Sequence, residues 1–157
     1  MSTKLKFEIG IDEAGRGPLA GPVSVGAACV PVNFDWNQIA GVNDSKKLTE
    51  KKREEIYKIA YHLRKEGVID WSVSMGNAKQ IDERGIVPTI KHSINLAINR
   101  VISQQIKYDQ YNVLLDGGLK ASAEFINQET IIKGDSKEKV IGLASIVAKV
   151  TRDRFMV

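Results

Sequence analysis

Near the start of the chain Phe7, Ile9 and Ile11 interleave with Glu8, Gly10 and Asp12. This period of two predicts a β-strand with one face in a core. A more continuous apolar stretch runs from Pro22 to Val30 and stops at Pro31, and its short separation from the first predicts an antiparallel pair. From Thr49 the period lengthens: Ile56, Ile59, Ala60 and Leu63 form a helical stripe that Gly67 terminates. Val68 to Met75 reads as a strand. A second helix is predicted from about Ile86-Val87-Pro88, with Ile90, Ile94, Ala97 or Ile98, and Val101 recurring at spacings of three and four. Tyr111 to Leu115 is a short buried strand ending at Asp116, and Gly117-Gly118 breaks it. Thr130 to Ile132 is another apolar stretch, followed by Lys133-Gly134-Asp135. Ser136 is then placed to cap a last helix starting near Lys137. Strands followed by interleaved helices predict an α/β fold with a mixed central sheet flanked by helices. With no repeat or linker-like tract, residues 1–157 read as one domain.

Composition narrows the class. At 157 residues and 43% hydrophobic, the chain can bury a proper core and is no candidate for disorder. No apolar run approaches a membrane span, and the N-terminus lacks a secretory signal, so a cytoplasmic protein without membrane attachment is expected. The one cysteine, Cys29, lies in the apolar run Val25 to Val30 and reads as a small buried residue. A net charge of +4 favours a polyanionic partner without requiring one. Between Lys46 and Glu66 basic residues are dense, but Glu50, Glu54, Glu55 and Glu66 dilute them. A solvated helix face and a phosphate-tracking surface are equally good readings there. Lys46 and Lys47 stand apart, because they precede the helix in a turn-like Asn43-Asp44-Ser45 context.

Acids end the apolar segments: Asp12-Glu13, Asp116 and Asp135. Each alone is unremarkable, since acids favour turns. Gathered on neighbouring strand ends they would repel one another, and bound Mg²⁺ or Mn²⁺ would remove that cost. One cysteine and two histidines, His62 and His92, are too few and too badly spaced for a softer metal. The turn Gly15-Arg16-Gly17 follows the first acid pair and lets main chain and a guanidinium approach a ligand. Acids able to hold metal beside a group able to hold phosphate suggest phosphodiester chemistry. The near-continuous apolar run Val140 to Val150 predicts a helix buried on most sides. Its exceptions Gly142, Ser145 and Lys149 share one face, with Arg152 and Asp153 roughly continuing it. Lys149 is either a snorkelling lysine or a basic group lining the acidic site, and the nearby Asp135 favours the second reading.

These motifs resemble ribonuclease HII, the type 2 ribonuclease H. Gly10-Ile11-Asp12-Glu13-Ala14-Gly15-Arg16-Gly17-Pro18 is similar to the family's opening signature, and Asn43-Asp44-Ser45-Lys46-Lys47-Leu48 to its lysine-rich block. Asp116-Gly117 resembles the third acid position. Lys133-Gly134-Asp135-Ser136 and the segment Ala144 to Asp153 resemble its last catalytic segment. The resemblance implies a ribonuclease H-like fold and a monomer whose catalytic and metal-binding acids are Asp12, Glu13, Asp116 and Asp135. It implies two-metal hydrolysis of the RNA strand in RNA/DNA hybrids. It also implies incision 5′ of single ribonucleotides in duplex DNA, as in ribonucleotide excision repair, leaving 3′-hydroxyl and 5′-phosphate ends. Gly15, Arg16 and Gly17 would sense the 2′-hydroxyl, mainly through main chain, while Lys47, Ser145 and Lys149 would meet phosphates. Arg16 favours type HII over type HIII, where Gly-Thr-Gly is expected. Family members continue past the Thr-Arg-Asp segment into a helical region bearing a junction tyrosine. This sequence ends at Val157, so a catalytic domain lacking that extension is the expectation.

Two other readings compete. A dinucleotide-binding loop is demoted because the spacing is Gly-x-Gly-x-x-x-Gly, Pro18 interrupts it, and a strand follows where a helix should. A nucleic-acid-binding but catalytically impaired fragment of the same family is the other.

Overall fold

The computed structural model describes residues 4–15, 22–44 and 47–156. Five strands, β1 (Phe7–Ala14), β2 (Val23–Pro31), β3 (Asp70–Gly76), β4 (Tyr111–Asp116) and β5 (Gln128–Ile131), form one sheet in the order β3-β2-β1-β4-β5. Strand β2 pairs antiparallel with both β1 and β3, whereas β4 lies parallel to β1 and β5 parallel to β4. This is the mixed sheet expected from the sequence. The helices are α1 (Glu50–Lys65), α2 (Ala78–Arg84), α3 (Ile86–Val101), α4 (Gly134–Lys137) and α5 (Lys139–Met156).

The pleat divides the core in two. Ile9, Ile11, Val25, Ala27, Val113 and Leu115 face α3, with Ile90, Ile94 and Ile98 packed on them. Ala28, Val30 and Leu114 face the other way, against α5 and α1. Helix α5 is buried from Val140 to Ala148, as its apolar run predicts. Two glycines let it lie directly on the strands. A Cβ on Gly10 would run into the Val140 carbonyl, and one on Gly26 into the Ala144 carbonyl. Ser24 Oγ adds a hydrogen bond to the Ala148 carbonyl at 2.9 Å. Gly26→Ala is therefore expected to destabilise the fold by about 3 kcal/mol, because a rigid backbone carbonyl rather than a flexible side chain must move. Urea unfolding would measure this, and a loss under about 1 kcal/mol would show that α5 shifts easily.

Several details depart from the sequence reading. Ile59 is 40% exposed, because the buried stripe of α1 is only as wide as Ile56, Ala60 and Leu63. Ser136 does not cap the last helix. It lies inside α4, its hydroxyl donates to the Lys133 carbonyl, and extended Glu138 separates α4 from α5. Helix α2, not anticipated, starts with a reciprocal cap: Asn77 Oδ1 accepts from the Gln80 N–H and Gln80 Oε1 from the Asn77 N–H, both at 2.9 Å. Among the described residues no helix is long and apolar enough to cross a membrane. Cys29 is buried as expected, and burial pushes its thiol up to about 12, well out of the reactive range.

Candidate active site

Strands β1 and β4 are parallel neighbours, with Ile11 beside Leu115 in register. The next residue of each is an acid, so Asp12 and Asp116 end adjacent strands on the same, α5-facing side. Asp12 is only 5% exposed. Its Oδ1 accepts from the Glu13 N–H at 2.8 Å. Burial, and then the charge of Asp116, push its carboxyl up to about 8. Opposite Asp12 in the β1–β2 register stands Gly26, the glycine that admits the Ala144 carbonyl. The next residue on that helix, Ser145, is 1% exposed. Its hydroxyl lies near enough to Asp12 to favour the carboxylate, though not in good hydrogen-bonding geometry.

Asp135 joins through the backbone. Lys133 takes the left-handed conformation (φ 55°), which turns the chain after β5 into α4. The Gly134 N–H then donates to Asp116 Oδ1 at 2.6 Å. A Cβ on Gly134 would press on Ile141 Cδ1 at 2.6 Å and on Asp116 Oδ1 at 3.3 Å, so only glycine fits comfortably. Asp135 follows at once and is 6% exposed. Thus Asp116 and Ser145 lie beside Asp12, and Asp135 follows the Gly134 whose N–H Asp116 holds. Glu13 follows Asp12 on β1 and is half-buried.

The donor chemistry suits a hard divalent cation. Buried Asp12, which its burial and then the charge of half-buried Asp116 keep protonated, would be relieved by positive charge between the two carboxyls. Among the described residues, however, no three Asp, Glu, His or Cys side chains are gathered closely enough to hold a metal. The preformed part is the Asp12–Asp116 pair. His62 and His92 are exposed, in keeping with surface roles.

The remaining expected residues vary. Gly15 follows β1 at φ +87°, a conformation that glycine adopts without strain. Arg16 and Gly17 lie outside the described residues. Lys149 is half-buried, one helical turn beyond Ser145, and Lys47 is exposed ahead of α1. The basic stretch on α1 divides. Arg64 pairs with Asp70 at 3.3 Å and stacks on Trp71, and Lys52 pairs with Glu55 at 3.6 Å. Arg53 takes neither role: its Nη1 donates to the Leu48 carbonyl at 2.8 Å and ties down the end of the lysine-rich block. Arg152, on the Ser145–Lys149 face, donates from Nε to the Pro22 carbonyl at 2.9 Å. Sequence reasoning had marked only its helix face.

The family model for ribonuclease HII matches residues 9–157. A ribonuclease HII from Fusobacterium nucleatum is 44% identical over 154 residues, covering 96% of this chain and 66% of that protein. The chain spans roughly half to two thirds of the length of the curated relatives it matches. Among solved structures, the ribonuclease H2 from Pyrococcus horikoshii OT3 superposes with a TM-score of 0.71 at 28% identity, over 96% of this chain and 74% of that one. Bst-RNase HIII, solved in complex with Mn²⁺, shares the fold at 21% identity and a TM-score of 0.71, over 96% of this chain and 53% of its own. The paired acids, the mixed sheet beneath them and a family match that runs from β1 to the last residue agree: this chain belongs to the ribonuclease HII family.

Proposed function

We propose that the chain forms the catalytic part of an endonuclease that hydrolyses the RNA strand of RNA/DNA hybrids and cuts 5′ of single ribonucleotides in duplex DNA. The observation that carries this reading is the pairing of buried Asp12 with half-buried Asp116 at the ends of adjacent parallel strands, in a chain of the ribonuclease HII family. Asp12, Asp116, Glu13 and Asp135 would hold the cations, with Asp12 and Asp116 as the preformed core. When bound, two Mg²⁺ or Mn²⁺ ions would supply an acidified attacking water and charge stabilisation at the leaving oxygen. Water oxygen then bonds to phosphorus while the bond from phosphorus to the 3′-oxygen breaks, giving 3′-hydroxyl and 5′-phosphate ends.

The chain's own groups bind and orient. Ser145 sits beside Asp12, where its hydroxyl favours the ionised carboxylate. Lys149 and Lys47 provide charge for substrate phosphates. The Gly15-Arg16-Gly17 turn offers main-chain groups to a 2′-hydroxyl, which is both donor and acceptor and distinguishes RNA from DNA at one nucleotide. Such an enzyme would act on chromosomal DNA in the cytoplasm, as a monomer, in the removal of misincorporated ribonucleotides.

The test is a DNA duplex carrying one ribonucleotide, incubated with the protein and Mn²⁺ or Mg²⁺. A single cut 5′ of the ribonucleotide is expected, with none in all-DNA duplex and none in EDTA. Equal cutting of all-DNA duplex would overturn the assigned specificity. Tight binding without cleavage would favour a binding-only fragment of the family.

A further inference from the structure

Ser145 and Lys149 lie on the α5 side of the sheet, but positive charge also stands on the α3 side, close in the chain to Asp116. Four residues of α3, Val87, Ile90, Lys91 and Ile94, recur at intervals of three and four and so share one helical face. That face is apolar except for Lys91. Against it lies the loop after β4, where the Leu119 N–H donates to the Asp116 carbonyl at 3.3 Å and closes a turn over Gly117 and Gly118. The α3 face and the Gly118-Leu119-Lys120 stretch of this loop line a cavity of about 230 Å³. Ile90, Ile94 and Leu119 are its buried floor, whereas Val87, Lys91 and Lys120 are exposed. None of the residues lining it is acidic, and among the described residues neither lysine makes an ion pair.

We propose that this cavity seats the sugar–phosphate backbone of the substrate duplex beside the nucleotide being cut, with sugar carbons on the apolar floor and phosphates on Lys91 and Lys120. This deepens the proposed function and rests on it. Two unpaired cations over an apolar floor complement a ligand that is apolar and anionic within one nucleotide. The reach also agrees. The turn holds the Cα of Leu119 within about 7 Å of that of Asp116, and Lys120 is one peptide of about 3.8 Å further on. At about 3.4 Å of rise per nucleotide, Lys120 is therefore about three steps from the acid at most. A duplex laid across these strand ends meets cations on both faces of the sheet, Lys149 on one and Lys91 and Lys120 on the other.

The test is binding of a short fluorescent RNA/DNA hybrid in EDTA, read by anisotropy over a range of salt concentrations, so that cleavage does not enter. Lys91→Gln and Lys120→Gln are each expected to weaken binding about fivefold at 0.1 M salt and to lower the slope of log Kd against log salt by about 1. The control is Lys107→Gln, an exposed lysine just before β4, at the far end of that strand. It should stay within about twofold of the parent chain, because it removes the same charge away from the cavity. Equal weakening in Lys107→Gln would assign the effect to net charge and overturn the proposal. So would unchanged affinity and slope in both Lys91→Gln and Lys120→Gln.

A second pair of variants separates binding from folding. Val87 is 60% exposed in the first turn of α3, which carries no acid. Val87→Glu suits the start of a helix and should melt at or above the temperature of Val87→Gln. It is nevertheless expected to bind the hybrid about tenfold more weakly than Val87→Gln, because it places a carboxylate where the backbone phosphates would lie. Equal affinity in the two variants would show that nothing anionic lies over the cavity and would overturn the proposal. A parent chain that binds no hybrid would overturn the nuclease reading as well. A parent chain that binds and cuts, with variants that bind equally well, overturns this inference alone.

Discussion

Asp116→Asn is expected to lower the rate of cutting at an embedded ribonucleotide by about a thousandfold or more, equivalent to about 4 kcal/mol in the barrier, without unfolding the protein. Asp116 does two separable things. Its Oδ1 accepts from the Gly134 N–H at 2.6 Å, which holds α4 and thus Asp135 against the end of β4. Its charge acts on Asp12 across the strand pair. Asparagine can keep the first contact, because its Oδ1 still accepts from the same N–H while its amide nitrogen turns towards Asp12. Only the charge is lost. A variant that melts within a few degrees of the parent chain and no longer cuts would separate the two roles. Activity within tenfold of the parent chain would show that Asp116 is a structural acceptor and nothing more.

Much of this arrangement was legible in the sequence because it follows from local rules. The alternation of Phe7, Ile9 and Ile11, and the continuous run before Pro31, both became strands, since a one-residue slip would expose each core face. The apolar run from Val140 became the central buried helix for a similar reason: no other environment covers apolar residues on every side. Misread elements were those decided by tertiary contacts. Ser136 looked like a cap, but the peptide at Gly134 is claimed by Asp116, so the chain makes the short α4 first and starts α5 only after Glu138. Conversely, Asn77 and Gln80 carried a local capping signal that had gone unread.

At the site, sequence order identified the acids but not their faces. Asp12 and Glu13 stood out because they are adjacent in the sequence. What pairs with Asp12 is Asp116, brought beside it by the parallel register of β1 and β4. The contacts of Arg152 were not legible for a different reason. Its contacts join α5 to the two ends of the segment between β1 and β2, and no spacing within the chain reports a contact between Arg152 and Pro22.

Asp12→Asn is expected to make the metal-free protein more stable, by on the order of 2–4 kcal/mol at pH 8, while abolishing cleavage. The folded carboxyl is held up to about 8, from an ordinary value of 3.8, by burial and by Asp116. Between those two values the native chain keeps a proton that the unfolded chain has released. Raising the pH through this window therefore favours unfolding, and the penalty reaches its full size above about pH 8. Asparagine cannot ionise, and its Oδ1 can still accept from the Glu13 N–H, so the variant escapes the penalty. Its advantage in EDTA should be largest near pH 8 and shrink to little by pH 4, as the unfolded carboxyl nears its ordinary value of 3.8 and begins to take up a proton too. Added Mg²⁺ should reverse the order at pH 8, since a ligand that binds only the folded, deprotonated pair stabilises the parent chain and not the variant. Urea midpoints at pH 4, 6 and 8, with EDTA and with Mg²⁺, would measure all of this. A variant less stable than the parent at pH 8 in EDTA would mean that the Asp12 carboxyl is satisfied without metal, and the argument that this pair is built for a cation would fail.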